Sequence, residues 1–113
     1  MNYEIEEKNG VVIIRIQGAM MGGPEANQLA EEFHSLVQDG KNKIVIDLHN
    51  VDQMNSSGLG ILIGGLSRVR NQGGNVKLLH VGKKPKSLLS ITKLDCVFEM
   101  YENEDDAIGS YNR

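Results

Sequence analysis

The chain has 113 residues, a formal net charge of −3 and a hydrophobic content of 40%, as expected for one globular domain. A domain of this size can bury a core without disulfides or metals, which become necessary mainly below about 40 residues. Acidic and basic residues are mixed along the chain, so there is no basic stripe for the phosphate backbone of a nucleic acid. Length and charge therefore predict a single domain over residues 1–113 that does not bind nucleic acid.

The N-terminus and the cysteine count indicate where such a protein works. Residues 1–8 carry acidic side chains where a secretory signal has a basic stretch followed by an apolar run. No segment approaches the roughly 18 uninterrupted apolar residues of a membrane span. The single Cys96 stands beside Val97 and Phe98 in a predicted buried strand, so we expect it to be a core residue. These features predict a cytoplasmic protein without direct membrane insertion.

The chain begins with a predicted β-hairpin and an amphipathic helix. Residues 3–8 alternate between apolar and polar, Asn9-Gly10 favours a tight turn, and residues 11–16 form an apolar strand. Pro24 stands at a first helical position, and apolar residues then recur at three- and four-residue steps until Gly40.

The rest of the chain alternates strands with helices. The pattern predicts a strand over 43–48, a helix over 58–70, a strand over 76–81, a helix opened by Pro85, a strand over 96–100 and an acidic last helix capped by Asn103. The order β-β-α-β-α-β-α-β-α predicts an α/β fold with about four helices and a mixed, mostly parallel sheet of about four to five strands. Parallel strands end at one edge of a sheet, where we expect loops 20–23, 50–57 and 82–86 to meet.

The segment Met54-Asn55-Ser56-Ser57-Gly58-Leu59-Gly60 leads from the third strand directly into a helix. One or both serines are predicted at the N-cap, where a hydroxyl satisfies an open amide and contributes about 1 kcal/mol. A second interpretation uses the same geometry: an exposed hydroxyl there can be phosphorylated, and the phosphate meets free amides and the positive end of the helix dipole. Such a phosphate would control the docking of a partner through its charge and bulk.

The run Ile44-Val45-Ile46-Asp47-Leu48, the serine motif and the element order resemble the STAS domain over nearly the whole chain. Gly18 after the second strand and residues 73–78 and 94–98 add to the match. A chain of this size is similar to the bacterial anti-sigma factor antagonists of that family, and the resemblance implies Ser56, rather than Ser57, as the phosphoacceptor. The family commonly has Asp at the positions of Met21 and Asn55.

The resemblance implies a switching cycle. The unphosphorylated protein would bind an anti-sigma factor that is also a serine kinase of the histidine-kinase-like ATPase type, which releases the sigma factor. Phosphorylation of Ser56 would end this binding, and a metal-dependent serine phosphatase would restore it. The chain would then be a substrate and a binding surface, not an enzyme, with no cofactor of its own. An alternative inside the family is an accessory subunit of a membrane transporter, or a signalling scaffold, without phosphorylation.

The predicted partner-binding surface joins the serine motif to the loop after the second strand: Met21, Gly22, Gly23, Met54, Asn55, Ser56, Ser57, Gly58 and Leu59. Three lysines in the third loop either are solvated charges or help to steer an acidic partner: Lys83, Lys84 and Lys86.

Catalytic and metal sites are not predicted. The nucleotide-binding pattern G-x-G-x-x-G would need glycine at Ile63, and the hydrolase pattern G-x-S-x-G is absent around the two serines. The three histidines, His34, His49 and His80, lack a metal-binding spacing with carboxylates or with Cys96.

Overall fold

A computed structural model describes residues 1–112, apart from the side chain of Glu25; Arg113 of the predicted domain lies outside the described residues. Its elements follow the predicted order: β1 Asn2–Lys8, β2 Val11–Gln17, α1 Pro24–Gln38, β3 Lys43–Asn50, α2 Ser56–Arg70, β4 Asn75–Leu79, α3 Lys83–Ile91, β5 Met100–Tyr101 and α4 Glu104–Tyr111.

The strands form one five-stranded sheet in the order β1-β2-β3-β4-β5. β1 runs antiparallel to β2, joined through Asn9 and Gly10, whose φ angles of 53° and 80° suit the tight turn of a hairpin. The other neighbouring strands are parallel. The predicted α/β fold with a mixed, mostly parallel sheet is confirmed, and β2, β3 and β4 end at one edge, here called the carboxyl edge.

Two cores lie on opposite faces of the sheet because side chains alternate along each strand. Val12 and Ile14 of β2 pack into the larger core under α1, α2 and α3. Val11 and Ile13 pack into a smaller core that α4 covers with Ala107 and Ile108. α2, which carries the serines, therefore lies on the face with the larger core.

The position of α2 depends on a close contact with α1. Phe33 of α1 is almost fully buried, and its ring occupies the space where Gly65 of α2 has no side chain. A Cβ atom at Gly65 would lie 2.6–2.8 Å from three carbons of that ring. The glycine thus lets the two helices approach and seats α2 against the sheet.

An ionic network joins α4 to the first three strands. Arg15 of β2 donates from Nη1 to Asp47 of β3 at 2.9 Å and to Glu104 of α4 at 2.7 Å. Its Nη2 donates to Glu6 of β1 at 3.2 Å, and Lys8 donates to Glu104 at 2.8 Å. The hydrogen bonds from Arg15, followed by that from Lys8, lower the pKa of Glu104 to about 2. Glu104 is therefore ionised in the fold well below the ordinary range of a glutamate.

The predicted strand over 96–100 with a buried Cys96 is wrong. The amides of Val97 and Phe98 donate to the carbonyl of Leu94 at 3.1 and 3.3 Å, so the backbone turns there, and Cys96 is exposed. Of this apolar run, Phe98 alone is buried, at 3% exposure. The apolar run thus contains one anchoring side chain and no strand, and β5 begins only at Met100.

Adding one methyl group at either of two adjacent glycines of α2 tests the contact between α1 and α2. We expect Gly65→Ala to lower the free energy of unfolding by about 1–3 kcal/mol, since the methyl group overlaps the Phe33 ring. Gly64→Ala is the matched control: its Cβ meets nothing within 4 Å, so helix propensity should raise stability by up to about 1 kcal/mol. Urea denaturation measures both, and equal shifts in one direction would contradict the packing argument.

The ionic network predicts a loss of stability in acid. The pKa of Glu104 lies below that of the unfolded chain, so its contribution is present above about pH 4.5 and is lost as the pH falls towards 2. We expect Glu104→Gln to remove about 1 kcal/mol at neutral pH and to make the decline between pH 4.5 and 2 shallower. Denaturation across this pH range measures the effect, with Glu102→Gln, at an exposed position nearby, as the control. The same slope in all three proteins would count against the network.

Candidate functional site

Asn55 caps α2, so the prediction that a serine does so is wrong. Its backbone is extended, and its side-chain Oδ1 accepts a hydrogen bond from the amide of Gly58 at 2.9 Å. Ser56 and Ser57 are the first two residues of the helix, and both are exposed. Asn and Ser are about equally good N-caps, so residue type alone could not place the cap. The serine hydroxyls are thus not needed to cap the helix.

The loop between β2 and α1, residues 18–23, is fastened to the start of α2. Met20 and Met54 form an isolated parallel bridge. The amide of Asn55 donates to the carbonyl of Met20 at 3.2 Å, and its side-chain Nδ2 donates to the carbonyl of Met21 at 3.0 Å. The first two of the three loops expected at the carboxyl edge therefore form one connected surface.

Two glycines permit this close contact. A Cβ atom at Gly58 would overlap the carbonyl oxygen of Met20, so only glycine fits where α2 meets the loop. Gly22 has a φ of +87°, and a Cβ there would lie 2.8 Å from the Cβ of Ser57. The Met20–Gly23 segment thus passes directly beside the serine pair.

Exposure separates the predicted binding residues into two groups. Those at the surface are exposed or half-buried: Met21, Gly22, Gly23, Met54, Asn55, Ser56 and Ser57. Met21 is 46% exposed, which is high for a large apolar side chain. Gly58 and Leu59 are buried, Leu59 at 3% exposure, so direct contact of these two with a partner does not fit the structure. They support the surface from beneath.

The three lysines lie in the first turn of α3, so their predicted placement in a loop is wrong. α3 begins at Lys83 after Gly82, and Pro85 occupies its third position, where a missing N–H costs no helical hydrogen bond. Lys83, Lys84 and Lys86 are exposed. A Cβ at Gly82 would lie 3.7 Å from the carbonyl of Val51, which brings the start of α3 beside the loop that precedes α2.

A buried carboxylate lies behind the carboxyl edge, on the α4 face. Asp47 accepts hydrogen bonds from Arg15 at 2.9 Å, from Nδ1 of His80 at 3.0 Å and from the amide of His49 at 3.0 Å. Burial raises its pKa, yet the hydrogen bonds from His49, His80 and Arg15 outweigh burial and hold that pKa below its ordinary value. Sequence reasoning missed this cluster, although an aspartate inside an apolar strand signals a buried carboxylate.

The charge around the serine pair comes from the N-terminal end of α2. The first turn of α2 contains no acidic residue. The helix has 15 residues, so its positive end is fully developed at Ser56 and Ser57. An added phosphate would therefore meet favourable charge from the helix and no carboxylate in that turn.

Residues 1–112 contain neither a metal-binding cluster nor a membrane-spanning helix. No group of three or more His, Cys, Asp or Glu side chains there is placed to hold a metal ion. His34 contacts Arg68 at 2.9 Å, and the rings of His49 and His80 meet edge to face at 5.3 Å. None of the described helices is long and apolar enough to cross a bilayer.

These features describe a small α/β domain whose candidate site is a protein-binding surface with an exposed serine pair at a helix N-terminus. The family model for the STAS domain matches residues 2–107. The chain belongs to the STAS domain family.

A relative and a solved structure of similar length agree with this assignment. The chain is 27% identical over 109 residues to the anti-sigma F factor antagonist of Paenibacillus polymyxa, covering 96% of this chain and 92% of the relative. It is similar to the crystal structure of an anti-sigma factor antagonist from Mycobacterium paratuberculosis, with a TM-score of 0.85 and 25% identity over 99% and 94% of the two chains.

The fold is also that of the anti-sigma factor antagonist SpoIIAA. The structure of its unphosphorylated form matches with a TM-score of 0.75 at 18% identity, over 98% of both chains. Its phosphorylated form, described as a Bacillus cell fate determinant, matches with a TM-score of 0.78 at 20% identity, over 97% of this chain and 99% of that one.

Two alanine variants at the start of α2 separate the cap from the serine. We expect Asn55→Ala to lower the free energy of unfolding by about 1–2 kcal/mol, because the amide of Gly58 loses its acceptor and the loop loses its tie to Met21. Ser56→Ala should change stability by less than about 0.5 kcal/mol, since its side chain is exposed. Thermal and urea denaturation measure both. A loss for Ser56→Ala as large as that for Asn55→Ala would mean that Ser56 also holds the helix.

Proposed function

We propose that this protein is an anti-sigma factor antagonist whose binding is switched by phosphorylation of Ser56. Unphosphorylated, it binds an anti-sigma factor that is also a serine kinase of the histidine-kinase-like ATPase type, and the sigma factor is released. The kinase transfers phosphate to Ser56 and the complex separates. A metal-dependent serine phosphatase then restores the binding form.

The observation that carries this proposal is the state of the Ser56 side chain. It is the first residue of α2, it is exposed, and the cap is supplied by Asn55 instead. Within residues 1–112 the structure describes no hydrogen bond from the hydroxyl of Ser56 or Ser57. Nothing in the fold therefore depends on the hydroxyl of Ser56, so it can react without a loss of structure.

The transfer itself requires little from this chain. The Oγ of Ser56 attacks the γ-phosphorus of ATP, the bond to the β-phosphate oxygen breaks, and the hydroxyl proton passes to a base of the kinase. ATP, Mg²⁺ and that base come from the kinase. This chain supplies a rigid helix end that presents the hydroxyl, so it acts as substrate and binding surface.

Phosphorylation ends binding by changing the surface around Ser56. The exposed Met21 is an adaptable apolar contact, and it lies on the loop tied to the cap of α2. A phosphate brings a charge of about −1.5 to −2 beside it, which a partner packed there cannot desolvate cheaply. The lysines of α3 extend the same edge and can steer an acidic partner towards it: Lys83, Lys84 and Lys86.

The decisive experiment maps the phosphate and measures its effect. The protein is incubated with Mg-ATP and each candidate serine kinase of the ATPase type from its own genome, and modified residues are identified by mass spectrometry. We expect phosphate on Ser56. Binding to the kinase should persist in Ser56→Ala and weaken at least about tenfold in Ser56→Asp. Ser67→Asp places the same charge on an exposed position further along α2 and serves as the control.

Three results would count against the proposal. Phosphate on no residue, or on Ser57 alone, contradicts the assigned site. Equal affinities of Ser56→Ala and Ser56→Asp contradict control by charge. Co-purification with a membrane transporter instead of an ATPase-type kinase supports the accessory-subunit role.

A further inference from the structure

An open groove lies between α1 and α2, on the side of α2 that faces away from the sheet. It encloses about 280 Å³ and has eight lining residues: Ala30, Phe33, Ser57, Gly60, Ile61, Gly64, Gly65 and Arg68. Ser57 lies at one end and Arg68 at the other, which makes the groove about 16 Å long at the rise of an α-helix. The groove therefore begins at the serine pair and follows α2 for about three turns.

We infer that this groove, here called the α1–α2 groove, receives a helix of the kinase that is apolar along its centre and acidic at the end that meets Arg68. The inference rests on the proposed function and deepens it by naming the chemistry of the partner's surface. Because Ser57 lines the groove, a phosphate on the neighbouring Ser56 would lie at its entrance. The phosphate and the groove would then act on the same partner.

The charge of the groove comes from one arginine. None of its lining residues is acidic. Arg68 is exposed and donates from Nη1 to Nδ1 of His34 at 2.9 Å, and within residues 1–112 it forms no ion pair. Arg15, by contrast, is paired with three carboxylates. A guanidinium has five N–H donors, so Arg68 can still bind a carboxylate of a partner.

The size and the chemistry of the groove favour a helix over a small molecule or a strand. Small-molecule pockets commonly enclose about 300–1,000 Å³ and bury most of the ligand, whereas this groove is smaller and open to solvent. Apart from Ser57 and Arg68 its lining is apolar or glycine, so an extended segment would leave backbone polar groups without partners. A helix satisfies these groups internally and presents an apolar stripe.

Two glycines of the groove are not required by the fold itself. A Cβ atom at Gly60 or Gly64 would meet nothing within 4 Å, whereas one at Gly65 would overlap the ring of Phe33. Glycine is a poor helix former, so the stability of α2 alone favours alanine at both positions. A docked helix accounts for them, because residues without side chains let another backbone approach closely.

Filling the groove at Gly64 tests whether a partner occupies it. Gly64→Ala and Gly64→Leu add side chains of increasing size, and both new residues are better helix formers than glycine. We expect the affinity for the kinase that modifies the native chain to fall about fivefold for Gly64→Ala and at least about fiftyfold for Gly64→Leu, without loss of stability. Calorimetric titration with Mg-ADP present, so that no phosphate is transferred, measures binding, and urea denaturation measures stability.

Gly109 of α4 provides the matched control. It is exposed, and a Cβ there also meets nothing within 4 Å, but α4 covers the opposite face of the sheet. Gly109→Leu makes the same chemical change in a helix and should leave the affinity within about twofold of the native value. A loss of binding in Gly64→Leu that is accompanied by native stability is then a property of the groove.

Arg68→Gln tests the acidic end of the partner helix. We expect it to lower the affinity about tenfold and to reduce the dependence of the affinity on NaCl, because salt screens the lost ion pair. Arg70→Gln removes the same charge from the same turn of α2 and is the control. Its guanidinium donates to Asn75 and to the carbonyl of Val97, outside the groove, so the salt dependence should stay close to native.

The outcomes distinguish this inference from the proposed function. Native affinity in Gly64→Leu or in Arg68→Gln would overturn the inference and leave the phosphorylation switch intact. Equal losses in Gly64→Leu and Gly109→Leu, or in Arg68→Gln and Arg70→Gln, would overturn it as well. If no kinase of the ATPase type binds the native chain, the proposed function fails, and the groove does not receive such a helix.

Discussion

The carboxyl edge of the sheet is one surface because residue 58 has no side chain. The start of α2 lies so close to the end of β2 that any Cβ at Gly58 would overlap the carbonyl of Met20. This contact lets Asn55 reach across to the loop and lets Met20 pair with Met54. Gly65 has the same role in the body of the helix, where it admits the ring of Phe33. The two glycines, Gly58 and Gly65, therefore determine where α2 lies and which residues surround its first turn.

The polar groups of the domain are arranged so that this surface can carry a new charge. The buried acid Asp47 and the partly buried Glu104 are paired with Arg15 on the α4 face of the sheet. The first turn of α2, on the opposite face, has no acid. A phosphate on Ser56 would thus meet the positive end of the helix dipole, with no carboxylate in the same turn. Its charge would instead repel a partner docked at this surface.

The apolar strands, the three- and four-residue steps of the helices and the turn signals between them predicted the order of the elements. Val11 to Ile14 place two side chains on each face of β2, and the structure uses both sets, one for each core. Contacts that depend on distant residues could not be predicted in this way. Cys96 shares its hydropathy with core residues, yet the chain turns at Leu94 and leaves it exposed. The limits of α3 also differ, because Pro85 fits the third helical position as well as the first.

In the candidate site too, part of the arrangement could be predicted from the sequence and part depends on contacts between distant residues. The serine motif and the loop beside it could be located from strand order, since parallel strands end at a common edge. The capping residue could not be located in this way, because Asn55, Ser56 and Ser57 are all good capping residues. Only the carbonyl of Met21 favours a side chain that both donates and accepts. That selection has a consequence for function. Asn55 holds the helix, so the proposed phosphorylation of Ser56 would leave the contacts made by Asn55 in place.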